Sequence, residues 1–158
     1  MRLLLVFSGF FAVIAVALLI NTTPQLMLFS FDGDVLFTRP AYEGLEFSVE
    51  FIHSVNQSPV AEIFVIRNNE IVLQALEFKD FGAGMPTEIE YGQKLVHLPS
   101  GMMRIEGFNR TMDNLHYMVG HAACLVLYIK EERVPLSNLA EPGTLIRIET
   151  RGRINVRI

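Results

Sequence analysis

Cysteine is nearly absent and tryptophan is missing: the 158 residues contain one cysteine, Cys124, and no tryptophan. A single thiol closes no intrachain disulfide and builds no cysteine-based zinc site. Flanked by Ala122, Ala123, Leu125 and Val126, Cys124 reads as a small buried apolar residue. Basic charge is also scarce, with 13 Lys and Arg against 17 Asp and Glu and a formal net charge of −4. Such a surface does not neutralise phosphates, which argues against a general nucleic-acid binder. The four histidines, His53, His97, His116 and His121, match no zinc spacing, and His116 and His121 differ in strand parity. No metal and no cofactor is therefore expected. Strong helical periodicity is lacking beyond the first 24 residues, and there is no repeat, low-complexity tract or second-domain linker.

What is abundant is apolar residue, 51% of the chain with a mean hydropathy of +0.35, and the excess sits at the amino terminus. Leu3 to Ile20 is uncharged over 18 residues. As a helix it would span roughly 27 Å, close to the hydrocarbon thickness of about 30 Å. Ala15-Val16-Ala17 offers a small-x-small cleavage site, but Leu18-Leu19-Ile20 carry the apolar run past it. The stretch reads as an uncleaved signal anchor in preference to a cleaved signal peptide. Arg2 then faces the cytoplasm and the chain after Asn21 is extracytoplasmic. The expected organisation is an anchor and short linker over residues 1–24 and one extracytoplasmic β-domain over 25–158. That makes a single-pass protein of the inner (cytoplasmic) membrane, its C-terminal domain on the periplasmic or extracellular side. With no cysteine near the end of the apolar run, a bacterial lipoprotein anchor is excluded.

The remainder reads as short strands. Residues 27–31 and 35–38 flank Asp32-Gly33-Asp34, an Asp-Gly hairpin signal. Residues 46–55, 60–67 and 71–78 form an antiparallel meander, turned at Asn56–Pro59 and at Asn68-Asn69. Asn tolerates positive φ, so the second turn suits a tight primed type. Further strands are expected over 94–98, 102–108, 116–118, 125–129 and 145–158, with a short helix allowed within 109–124. In the last strand Ile146, Ile148, Ile154, Val156 and Ile158 alternate with Arg147, Glu149, Arg151, Arg153 and Arg157, giving a core face and an arginine face. The fold class is all-β: an antiparallel β-sandwich or small β-barrel, preceded by one N-terminal transmembrane helix.

Phe47–Phe64, FSVEFIHSVNQSPVAEIF, carries the candidate chemistry. Period-two alternation puts Phe47, Val49, Phe51, His53 and Val55 on one face, and Val60, Glu62, Phe64 and Ile66 on the face that meets it. A two-residue turn at Asn56-Gln57 sets His53 opposite Val60; a four-residue loop sets it opposite Glu62. Both registers bring His53 and Glu62 within side-chain reach. The pair suits a general base oriented by a carboxylate, or a buried hydrogen bond that fixes the hairpin. Ser54, next to His53, points to the opposite face, so a Ser-His nucleophile is not formed. No residue is assigned as catalytic, and no enzymatic activity is expected. Gly82-Ala83-Gly84-Met85-Pro86 is an irregular turn where backbone approaches another segment or a ligand closely; it lacks the Lys-Ser/Thr and βαβ context of a P-loop.

His53-Ser54-Val55, Pro59-Val60-x-Glu62 and Gly82-Ala83-Gly84-x-Pro86 together resemble the pattern of the DUF1850 family of small bacterial proteins. The resemblance covers most of the exported part. It implies association with TAXI-type TRAP transporters, beside whose permeases such proteins tend to be encoded and which import small organic anions through an extracytoplasmic binding protein. It supplies no reaction. The residues expected to bind a ligand or partner are His53, Ser54, Glu62, Gly82, Gly84 and Pro86. The implied partners are the TRAP transporter permease or its binding protein, with the membrane reached through residues 3–20. A free-standing module for a small organic anion is the alternative, and a hydrolase using His53 and Glu62 is a third reading.

Overall fold

A computed structural model describes residues 24–82, 88–120 and 124–152. The apolar run at 3–20, Gly84, Pro86, His121 and the end, 153–158, of the strand expected over 145–158 lie outside these residues. Among the described residues no helix is long and apolar enough to cross a membrane.

Among the described residues eleven strands follow in chain order: β1 (Gln25–Ser30), β2 (Val35–Pro40), β3 (Glu46–Ile52), β4 (Pro59–Arg67), β5 (Glu70–Phe78), β6 (Lys94–His97), β7 (Met103–Thr111), β8 (Leu115–Met118), β9 (Val126–Ile129), β10 (Glu132–Pro135) and β11 (Leu145–Arg151). One 3-10 turn, Leu136–Asn138, follows β10. The strands make two antiparallel sheets, ordered β2-β1-β11-β8 and β10-β9-β3-β4-β5-β7-β6. One core serves both: Leu26, Leu28, Leu115, Ile146 and Ile148 of the small sheet pack with Phe47, Val49, Phe64, Ile66, Leu73 and Leu127 of the large one. The Phe47 and Phe64 rings stack at 5.1 Å across the β3–β4 pair. Two faces closing on one apolar interior make a β-sandwich. A satellite core of Val60, Leu76, Phe78 and Ile105 fills the large sheet towards β7.

The meander and its alternation are as the sequence implies. Asn68 and Asn69 have φ of 52° and 63°, the left-handed pair of a primed turn between β4 and β5. Ile146 and Ile148 are buried, while Arg147, Glu149 and Arg151 lie on the outer side of β11. There Arg147 and Arg151 stack over the Phe29 ring, at 5.4 and 4.4 Å from its centroid. Three expectations need correction. The stretch allowed a helix holds none among its described residues: β7 runs on to Thr111 and β8 follows after a short break. β10 had not been expected, because Glu131-Glu132-Arg133 shows no alternation; Lys130, at φ 56°, turns it back onto β9. Cys124 is exposed, not buried. Its φ of 42° turns the chain just ahead of β9, and Leu125 and Val126 take the buried positions instead.

Sheet register gives the sandwich two distinguishable poles. At the first, Gln25 lies opposite Arg151, and Thr150 Oγ1 donates to the carbonyl of Asn69 in the β4–β5 turn. Glu43 accepts from the Asn68 N–H at 2.8 Å there, and Arg39 of β2 grips Glu132 of β10 with two hydrogen bonds, closing the sheet edges. β3 leaves this pole and β4 returns to it. The β3–β4 loop therefore sits at the second pole, with the chain that follows β5.

Candidate functional site

The β3–β4 ladder settles the register. Phe51 pairs with Val60, Val49 with Glu62 and Ile52 with Pro59; beyond them the His53 N–H donates to the Ser58 carbonyl at 2.9 Å. Both registers expected from the sequence are wrong by two or four residues. The cause is a tighter loop: the Gln57 N–H bonds the His53 carbonyl at 2.8 Å, with Gln57 at φ 50°, so the turn closes at Ser54–Gln57 and Val55 leaves the ladder. His53 and Glu62 do share a face, as parity requires. They stand four positions apart along it, about 13 Å at the usual strand rise of ~3.3 Å per residue. Each engages a different group.

His53 serves the loop. Its Nδ1 accepts the Asn56 N–H at 3.3 Å, so the neutral ring carries its proton on Nε2, which is left as a donor. The Asn56 side chain lies against Gly82: a Cβ built there would stand 2.5 Å from Asn56 Oδ1 and 2.6 Å from Nδ2. A side chain at 82 would oblige the end of the Asn56 side chain to shift. Thus the His53 loop and the start of the glycine-rich segment, distant in sequence, are one structure. Ser54 and Val55 are exposed, and Ser58 is buried with an Oγ that has no hydrogen-bond partner among the described residues. Val55, 67% exposed, and Phe81, 51% exposed, give this pole an apolar surface; the Phe81 ring meets Phe78 edge-on at 5.0 Å.

Glu62 belongs to the interior. The Tyr117 hydroxyl, carried across from β8 of the opposing sheet, donates to Glu62 Oε2. Burial pushes the Glu62 carboxyl above its ordinary range, against the pull of the Tyr117 bond and the Arg110 charge. The Tyr117 phenol is driven up as well, by burial first and then by the adjacent carboxylate. Phe51 flanks the bond, its ring 6.4 Å from that of Tyr117. Glu62 therefore clamps sheet to sheet. Tyr117 had escaped the sequence reading, although the alternation Leu115-His116-Tyr117 points it inward beside buried Leu115.

Elsewhere, an apolar hollow of about 300 Å³ lies at the first pole, lined by Arg39, Tyr42, Leu45, Ile129, Lys130 and Glu132 among others. No group of three His, Cys, Asp or Glu is placed to hold a metal among the described residues. The His53 loop and Gly82 hold positions whose pattern resembles that of a known family, and a family model matches the chain across this stretch. The model of the family described as "Domain of unknown function (DUF1850)" matches residues 47–136, more than half of the chain.

The chain belongs to the DUF1850 family.

The matched region begins on β3 and contains both the His53 loop and the Glu62–Tyr117 clamp. Comparison with curated proteins and with solved structures returns no match.

Proposed function

We propose that this DUF1850 member is a membrane-anchored, extracytoplasmic accessory or regulatory component of a TAXI-type TRAP transporter, acting by contact and not by catalysis. The observation that carries the reading is the convergence of His53, Asn56 and Gly82 on one loop cluster with exposed Val55 and Phe81 beside it. Motif residues that build a surface, with one apolar rim and one directed imidazole donor, fit recognition of a partner. The apolar run at 3–20 and the acidic balance of the remainder support placement at the outer side of the membrane. Pull-down of the tagged chain from native membranes tests the proposal. Recovery of the permease or its binding protein, with transport altered on deletion, is the expected result; failure to recover either, with transport unchanged on deletion, refutes it.

A second reading, a free-standing module for a small organic anion, is favoured by one detail: buried Ser58 Oγ has no hydrogen-bond partner among the described residues and sits across the turn from His53. Calorimetry of the protein against short carboxylates decides it, and absence of heat counts against it. The hydrolase reading needed His53 and Glu62 as a pair, and their separate partners leave it without a geometric basis.

A further inference from the structure

Two partners are open to such an accessory protein, one embedded in the membrane and one soluble outside it, and the poles of the sandwich bear on the choice. The chain leaves its apolar run at Ile20 and starts β1 at Gln25, so only residues 21–24 link the two. Four residues reach at most about 14 Å when fully extended. Gln25 lies at the first pole, opposite Arg151 and beside the loop that holds the Asn68-Asn69 turn. The His53 loop lies at the other end of β4, a nine-residue strand, about 30 Å long at the usual rise. On the anchored reading, a link of that length would keep the first pole near the lipid headgroups, with the sandwich between them and the His53 loop.

We infer that the His53–Gly82 pole is directed away from the bilayer and docks a water-soluble extracytoplasmic protein, the transporter's binding protein, in place of the membrane-embedded permease. The inference rests on the anchored, transporter-accessory reading proposed above. The surface suits such a partner: Val55 and Phe81 supply exposed apolar area, and His53 Nε2–H supplies one donor beside it. The complementary patch is an apolar spot that carries a hydrogen-bond acceptor, a carboxylate or carbonyl oxygen. Lys79 and Asp80, both exposed just before Phe81, set one charge of each sign beside this uncharged cluster, so the patch carries no net charge.

The test uses the full chain in intact cells. Cys124, exposed and the sole cysteine, reacts with a membrane-impermeant maleimide only if the domain lies outside; together with alkaline extraction of the membranes this checks the anchor separately. Photo-crosslinking amino acids at Val55 and at Phe81 report the far pole, and one at Tyr42 reports the near pole. The expected result is an adduct of the Val55 and Phe81 sites with the soluble binding protein released by osmotic shock, and adducts of the Tyr42 site with lipid or integral membrane protein. Val55→Asp with Phe81→Ser should lower recovery of the soluble partner at least ten-fold while Cys124 labelling and extraction behaviour stay unchanged. Crosslinking of Val55 to the permease or to lipid in an anchored chain overturns the orientation alone. Failure of the far-pole sites to capture the binding protein overturns the docking assignment. A chain that is unlabelled from outside and extracted from membranes overturns both this inference and the reading beneath it.

Discussion

Tyr117→Phe isolates the clamp between the sheets. The substitution keeps the ring that lies 6.4 Å from Phe51 and deletes only the hydroxyl, so no cavity opens. What it removes is the donor to Glu62 Oε2, leaving a largely enclosed carboxylate without that bond. Hydrogen bonds to charged groups contribute about 1.5–3 kcal/mol, and Glu62 recovers part of the loss by holding a proton more tightly. The expected destabilisation is about 2 kcal/mol, or roughly 8 °C in Tm at about 4 °C per kcal/mol for a domain of this size. The double variant Tyr117→Phe with Glu62→Met replaces both partners by apolar groups and should return to within ~1 kcal/mol of the parent. Thermal and urea unfolding of the two single variants and the double variant measures the coupling directly. A loss below about 0.5 kcal/mol for Tyr117→Phe, with additive singles, would refute the claim that this bond ties the sheets.

The same pair sets a pH dependence with a fixed sign. Glu62 is raised above its ordinary 4.5 in the folded state, so the folded protein binds that proton more tightly. Its contribution to stability is full below 4.5 and is lost as pH rises through the raised value; Glu62→Gln should flatten that part of the stability profile. Tyr117 is raised above its ordinary 10.0, so its contribution falls away above pH 10, where the unfolded chain ionises first; Tyr117→Phe should blunt alkaline unfolding followed by circular dichroism. Gly107→Ala should be severe, at least about 3 kcal/mol, because φ is +91° and the new Cβ would stand 2.5 Å from the backbone oxygen of Gly92; poor soluble yield or a low Tm is the readout. Gly82→Ala meets only the end of the Asn56 side chain, so it should cost about 1 kcal/mol or less while shifting the Asn56 and His53 amide resonances. Val55→Asp changes an exposed loop residue and should leave stability within about 0.5 kcal/mol by denaturant titration, whatever it does to partner recovery.

Strand content was legible because burial imposes a period of two. Phe47, Val49 and Phe51 announce β3, and Ile146 and Ile148 announce β11, without reference to anything beyond each segment. The Asn68-Asn69 turn was equally local, since its residue types tolerate the φ it needs. Register was not local. It depended on how soon the chain after His53 turned, and the closure at Gln57 moved His53 and Glu62 four positions apart while preserving their shared face. β10 escaped notice because pairing with β9, and not alternation, holds its charged start in place. Tyr117 illustrates the larger gap: the partner of Glu62 comes from the other sheet, 55 residues away, and only tertiary packing joins them. Cys124 was misplaced for a related reason, since apolar neighbours imply burial only where the backbone stays extended, and at φ 42° it does not.

The DUF1850 match spans the His53 loop, and the proposed function requires that loop's surface to be where a partner binds. The most direct measurement is photo-crosslinking from Val55 in cells carrying the full chain, with the captured protein identified by mass spectrometry. The expected capture is the soluble extracytoplasmic binding protein, lost when His53→Ala is introduced, because the Nε2 donor set by the Asn56 bond goes with the ring. An adduct with the permease or lipid, or capture unchanged by His53→Ala, contradicts it.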